Sequence, residues 1–369
     1  VRWSCILSPC ITLLAARHWR KEYALATIEI TVLGAGIFGL SIAWELTRRG
    51  ANVQVVDPHG PATGASGGIV GALAPHVPEN WNSKKQFQLE SLLMARGFWH
   101  EVQAVSGHCV GYARLGRVQP IADDAALKLA QARAMTAQDF WGTAAEWQVR
   151  SASSSNWFAT SPTGMEIFDT LSARIHPRKA CLALVAALKA KGVSMQLKPS
   201  KTELTVHATG VMGLNTLNSI HTRSVGTGIK GQAILLDHAV PNSPQIFVDG
   251  LHFIPHADGT TAIGSTSERN YEHATKTDNH LDKILAQAIC AVPKLKQAQV
   301  LARWAGLRPR SRSRAPMLGP WPNRPGHFIA NGGFKIGFGM APKVAQTMAD
   351  LILDGRNTIP KGFEVSASF

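Results

Sequence analysis

The sequence predicts an α/β protein: a Rossmann-like parallel-sheet domain interleaved with an α+β domain built on a mixed or antiparallel sheet. Three observations predict it. A β-branched strand at 28–33 runs into a glycine-rich turn and an apolar helix, and a second strand follows at 53–56. Helix–strand alternation of the same kind returns at 165–222 and 304–357. Between these pieces lie stretches of different texture. Residues 76–164 hold helical segments rich in Ala, Gln and Trp and the polar run Ser151–Asn156, while 223–303 reads as short strands and one helix. The chain of 369 residues is 45% hydrophobic and 17% charged, which excludes disorder and suffices for two cores. No internal repeat is visible.

The first strand, Ile28 to Leu33, is apolar and β-branched, as a buried parallel strand requires. Gly34-Ala35-Gly36-Ile37-Phe38-Gly39 follows, a GxGxxG. Leu40, Ala43 and Trp44 then share one helix face, Ile42 pairs with Leu46, and Gly50 ends the helix. Val53–Val56 is the next strand, and Asp57 closes it 18 residues after Gly39. Gly34 permits the tight turn, Gly36 lets backbone amides approach a pyrophosphate, and Gly39 lets the helix pack on the strand. The helix N-terminus brings partial positive charge to the phosphates, and Asp57 can accept from a ribose hydroxyl pair. Strand, turn, helix, strand and acid at this spacing predict an adenine dinucleotide site that includes Ile37, Phe38 and Pro58. An acid in place of a basic residue argues against a 2′-phosphate. FAD and NAD are not separated by this motif. The small-residue loop from Gly60 to Pro75 adds Thr63, Ser66, Gly67, Gly68 and Ile69 as candidate contacts, because it lets backbone approach a large flat ligand.

Further along, Pro177 opens a helix with Cys181, Leu184, Val185 and Leu188 on one face, and Gly192 ends it. Strands are expected at Val193–Leu197, Leu204–Ala208, Gln232–Leu236, Gln245–Val248, His252–Pro255 and Thr260–Gly264, with a helix near 278–291. The last helix is expected to start at Pro342 and stop at Gly355. The expected division is therefore a cofactor domain of 27–75, 165–222 and 304–357, a substrate domain of 76–164 and 223–303, and a tail at 358–369.

Residues 1–26 stand apart as an extension or leader. Trp3–Ala16 carry no charge and are too few to span a bilayer. They are similar to the apolar core of a signal peptide, with Ala24-Leu25-Ala26 as a cleavage site, but Lys21 and Glu22 interrupt that pattern and the first Met is Met94. Five scattered cysteines with no CxxC fit neither a disulfide framework nor a zinc site, so no metal is expected and a reducing, cytoplasmic compartment is.

With these motifs in place, the chain resembles the D-amino acid oxidase family of flavoproteins, which includes glycine oxidase, sarcosine oxidase and D-amino acid dehydrogenases. The resemblance rests on the glycine turn, on Ala65–Gly71, and on Val206-His207-Ala208-Thr209-Gly210. It rests more specifically on Trp304-Ala305-Gly306-Leu307-Arg308-Pro309 and on the loop Asn331–Gly339 followed by Met340-Ala341-Pro342. It implies a GR2-type FAD-binding domain and adds Thr209, Gly210, Gly332, Gly333, Phe334, Lys335, Ile336 and Gly337 to the FAD contacts. One departure stands out. Only Lys191–Gly210 bridge a stretch where the family has several strands, so a small three-stranded sheet on the adenine side is expected to be missing or abbreviated.

The resemblance also implies catalytic candidates. Arg308 matches an arginine that binds the substrate carboxylate, for which a planar guanidinium is suited. It lies among six arginines and no acid at 303–324, so Arg310, Arg312 or Arg314 can substitute. Lys335 falls where glycine oxidase has an arginine and is expected to stabilise the reduced flavin, a role that the helix end at Pro342 can share. His252 matches a substrate-side tyrosine. The implied reaction oxidises glycine, sarcosine or a D-amino acid by hydride transfer from the α-carbon to flavin N5, giving an imine that hydrolyses. Oxygen or another acceptor then takes the electrons. No hydrolase array or Walker loop is present. Two alternatives remain: an oxidase acting on a carboxymethylaminomethyl uridine of tRNA, similar to the oxidase domain of the bifunctional wobble-uridine enzyme, and a non-catalytic FAD-binding subunit. The net charge of +14 suits tRNA or an anionic substrate. A homo-oligomer is compatible with all three.

Overall fold

The computed structural model describes residues 29–155, 157–200 and 202–369. The expectations for residues 1–26 lie outside these. Two large sheets organise the chain, and the predicted fold class is the one observed.

The first sheet has six strands. Glu29–Leu33 lies at its centre, flanked in parallel by Asn52–Val56 and Leu204–His207. Ser194–Gln196 extends one side, and His327–Asn331 the other, with Met317–Pro320 as an antiparallel edge. Strand alternation decides what each face carries. Val32, Val55, Val206 and Ala330 point to one face, where they meet the helices Ile37–Arg48, Pro177–Ala190 and Gly337–Asp354. Leu40, Ala43, Trp44, Cys181, Leu184 and Leu188 are all buried there, as the helical spacing predicts. Fully burying each leucine contributes about 1.5–3 kcal/mol.

The opposite face is mixed: Ile329 packs there with Leu214 and Leu217, and polar side chains occupy other positions. Among the described residues, Ser194–Gln196 is the one strand between the helix Pro177–Ala190 and the strand Leu204–His207. Gln54 Nε2 donates to Thr31 Oγ1 at 2.7 Å, and Thr31 Oγ1 also pairs with Thr202 Oγ1 at 2.7 Å. His207 Nε2 and His327 Nδ1 lie 2.9 Å apart. Thr31 and Gln54 are buried, and these pairings satisfy them.

The second sheet has eight strands and is mixed. Gly226–Leu236, Val300–Ser311, Thr261–Gly264, Leu251–Pro255 and Gln245–Val248 run antiparallel to their neighbours, and Gln245–Val248 joins Arg117–Pro120 in parallel. Met165–Asp169 and Trp147–Ser151 complete it. Ile234, Leu236, Phe253 and Ile263 point to one face and pack against the helix Asn279–Ala291. The other face looks toward the glycine loop.

Three segments take partners that lie far from them in the chain. Val300–Ser311 pairs along its whole length with Gly226–Leu236, and Met165–Asp169 pairs with Arg117–Pro120, so both belong to the second sheet. The helix Ser83–Ser106 buries Phe87, Leu92 and Trp99 in the core of the first. Local periodicity marks such elements but carries no information about their partners. The closing segment packs as well: Phe363 is buried, and Leu318 N–H donates to its carbonyl at 2.7 Å.

Candidate functional site

The glycine turn is built for close approach. Gly34 has φ +103°, and a Cβ there would lie 2.4 Å from the Ala208 carbonyl oxygen. A Cβ on Gly39 would lie 1.9 Å from the Gly34 carbonyl oxygen. Gly36 precedes the helix in extended conformation and has no side chain to cap it, so the cap comes from elsewhere. Ile37 N–H donates to Ser66 Oγ at 3.0 Å, while the Phe38 and Gly39 amides meet no acceptor among the described residues. Open amides with the helix dipole behind them form an anion cradle. Asp57 closes the neighbouring strand. Its carboxylate accepts from Ala35 N–H and His59 N–H, each at 2.9 Å, which ties the acid to the turn. Pro58 and Thr63 stand exposed beside it.

The small-residue loop leaves this cradle for the second sheet. Ala65–Gly67 form a single tight turn, a Cβ on Gly68 would lie 3.5 Å from the Trp304 ring, and Val70 approaches Gly264. His256 Nε2 donates to the Ile69 carbonyl at 2.9 Å. From the other side, Asn331 Nδ2 donates to the Gly210 carbonyl at 2.8 Å and its Oδ1 accepts from Gly332 N–H, joining the Thr209-Gly210 turn to the C-terminal loop. Gly333 abuts the Phe38 ring, and Phe334 N–H donates to the Pro309 carbonyl at 3.0 Å. The final helix begins at Gly337, five residues earlier than expected, with Pro342 inside it. The proline falls early enough to forgo only the bond to Phe338, so the helix end lies directly behind the Gly332–Ile336 loop. Thr209 and Gly210 also start a helix, Gly210–Ile220, that the sequence reading missed.

Arg308 and His252 share one face of the second sheet, and the charge of Lys335, on the C-terminal loop, is felt there. Trp304 pairs with Ala233, which pairs with Gly264, which pairs with His252, so these positions share a face with Arg308. Arg308 is buried and extends across Gly231, where a Cβ would collide with its guanidinium. Its partners are neutral: Nη1 donates to the Thr266 carbonyl at 3.1 Å and Nη2 to Ser265 Oγ at 2.8 Å. Burial pushes this guanidinium down to about 10, against the opposing pull of Glu268. Lys335 is exposed at the rim, and desolvation together with Arg308 and Arg310 holds its ammonium below the ordinary lysine range. His252 is enclosed and neutral, pushed down to about 3 by burial and then by Arg117 and Lys335, and its Nδ1 has no partner among the described residues. A buried imidazole nitrogen facing a cationic pocket is suited to hydrogen-bond a ligand.

Asn331 opens the C-terminal glycine loop, whereas Ser265, Thr266 and His256 carry no sequence signal, because their contacts come from strand pairing and tertiary closure.

The enclosed histidines set a pH dependence. His207 is pushed down to about 4 by burial, then by His327 and Arg324, and His256 to about 4 by burial, then by His176. With His252 at about 3, the unfolded chain binds protons below the ordinary value of 6.5 that the folded chain refuses. Stability is therefore fully present above that pH and falls as pH drops toward 4. Melting temperature measured across this window should decline steadily, and His207→Gln should flatten the slope. A constant melting temperature would contradict it.

A parallel-sheet cradle with open amides leads by a glycine loop to a sheet face that carries a buried guanidinium without a carboxylate partner among the described residues, and a dinucleotide cofactor suits the cradle. Residues 29–351 match the FAD dependent oxidoreductase family, and the chain belongs to it. It is similar to glycine oxidase of Pseudomonas aeruginosa, at 36% identity over 132 residues. That match covers 36% of this chain and about a third of the relative's length. Glycine oxidase of Bacillus subtilis is 22% identical over 355 residues, covering 88% of this chain and 93% of the relative. The crystal structure of glycine oxidase from Geobacillus kaustophilus superposes with a TM-score of 0.80 at 18% identity, over 92% of this chain and 99% of that one, which shows the shared fold. The family's cofactor is FAD, and the cradle of Gly34–Gly39, Ser66 and Asp57 fits it. No helix among the described residues is long and apolar enough to cross a membrane.

Proposed function

We propose that the protein oxidises a small amino acid or carboxylate-bearing amine of the glycine, sarcosine or D-amino acid class. One observation carries the reading: Arg308 is buried, bonded among the described residues only to neutral oxygens, and placed on the sheet face that the Gly68–Val70 and Gly332–Ile336 loops approach. A buried guanidinium without an anion is costly, and a substrate carboxylate supplies one. FAD, held by the glycine turn, supplies the two-electron oxidation of the C–N bond. The chain's own residues do the rest. Arg308 binds and orients the carboxylate, Trp304 and the glycine loop exclude water from its inner side, and His252 offers a neutral hydrogen-bonding nitrogen. Lys335 contributes positive charge at the rim. The imine product hydrolyses to an oxo acid and ammonia or amine.

The interleaved division into a cofactor and a substrate domain, and a cytoplasmic location in keeping with the free Cys109, Cys181 and Cys290, belong to the same proposal. The test is to load the purified chain with FAD and assay glycine, sarcosine and D-alanine for oxo acid release with oxygen or a dye as acceptor. Turnover of at least one is expected. Stably bound FAD with no turnover of any amino acid would favour a non-catalytic subunit instead.

A further inference from the structure

The proposed function uses Arg308 and Lys335 and leaves a third cation without a role. Arg308 and Arg310 stand two apart on the strand Val300–Ser311, so both side chains rise from the same face. Lys335 reaches that face from the loop that Phe334 N–H ties to Pro309. The Arg310 guanidinium lies 5.6 Å from the centroid of the Phe334 ring, and the Lys335 ammonium lies 5.8 Å from the same centroid. Among the described residues, no carboxylate comes within 4 Å of Arg308, Arg310 or Lys335. Glu268, whose charge Arg308 feels, is already engaged by Lys230 at 3.6 Å and by Gln232 Nε2 at 3.0 Å. Three like charges on a partly buried surface repel one another until anions enter. The cofactor's own phosphates fit the glycine turn on the other sheet and leave this surplus in place.

We propose that Arg310 receives a second carboxylate, so that the preferred substrates are amines or amino acids bearing two carboxylates. This rests on the reading of Arg308 given above: one carboxylate goes to Arg308, the second to Arg310, and Lys335 remains for the cofactor side. The second carboxylate only binds and takes no part in the oxidation. A ring contact is a weak partner for a guanidinium compared with a charge-assisted fork, so Arg310 has a free interaction to offer.

The test uses the FAD-loaded protein without oxygen and follows the loss of oxidised flavin absorbance against substrate concentration. Iminodiacetate and both enantiomers of aspartate and glutamate are compared with glycine, sarcosine and both enantiomers of alanine. The dicarboxylates are expected to half-saturate at concentrations lower by about tenfold or more. Arg310→Gln should remove most of that preference, and Arg310→Lys should retain part of it. Monocarboxylates that reduce the flavin equally well, or an Arg310→Gln variant with an unchanged preference, would overturn the inference and leave the oxidase reading standing. No reduction by either group would overturn both.

Discussion

Replacing Arg308 by alanine raises the half-saturating concentration of every carboxylate-bearing substrate by about 100- to 1,000-fold, the range expected when one partner of a buried charge pair is removed. Rates at saturation should fall less, because the guanidinium binds the same carboxylate before and during the oxidation. Arg308→Lys keeps the charge but loses the planar fork and should fall between wild type and alanine. Ser265 and Thr266 bond directly to the guanidinium, so the alanine variant also leaves their oxygens unpartnered. Its melting temperature and FAD content must therefore be measured beside the kinetics. An unchanged half-saturating concentration in a folded, FAD-loaded variant would remove Arg308 from the substrate site.

The second large effect falls on the cofactor. Gly39→Ala places a methyl 1.9 Å from the Gly34 carbonyl oxygen, a backbone atom that cannot move aside alone. The helix Ile37–Arg48 must shift away from the first strand, and with it go the Phe38 and Gly39 amides. Overpacking of this kind costs about 3 kcal/mol, which lowers the melting temperature by roughly 5 °C in a chain of this size. FAD retention should collapse, since the displaced amides form the cradle. Gly60→Ala is the control, because nothing lies within 4 Å of a Cβ there, although φ is +81° and a small strain penalty remains. Full FAD retention in Gly39→Ala would contradict the assignment of the cradle.

How much of this was legible in the sequence depends on the range over which each signal acts. The glycine turn was fully legible, because GxGxxG, strand period and helix period are all local. The helix of Cys181, Leu184 and Leu188 was legible for the same reason. Pairing was not. The strand Val300–Ser311 was marked by its Trp-Ala-Gly-Leu-Arg-Pro motif, and its attachment to Gly226–Leu236 depends on hydrogen bonds across about seventy residues of chain. The start of the last helix was misread because Pro342 looked like a first-turn proline, whereas five helical residues precede it. Arg310 was named only as a substitute for Arg308. Strand alternation puts it on the same face, and the Phe334 ring, which the sequence could not place, shows where it points. The short stretch before Gly210 is visible in the sequence, but the side-chain pairs on that face of the sheet join strands far apart in the chain.

The most direct measurement is anaerobic reduction of bound FAD by amino acids in the wild type and in Arg308→Ala, with the decarboxylated amines as a second series. Wild type is expected to lose its oxidised flavin absorbance with at least one carboxylate-bearing amine and to respond poorly to the matching amine without the carboxylate. The variant should need about 100-fold more of the former and show no change with the latter. Equal reduction by both series, or by wild type and variant alike, would contradict a carboxylate held by Arg308 at the flavin.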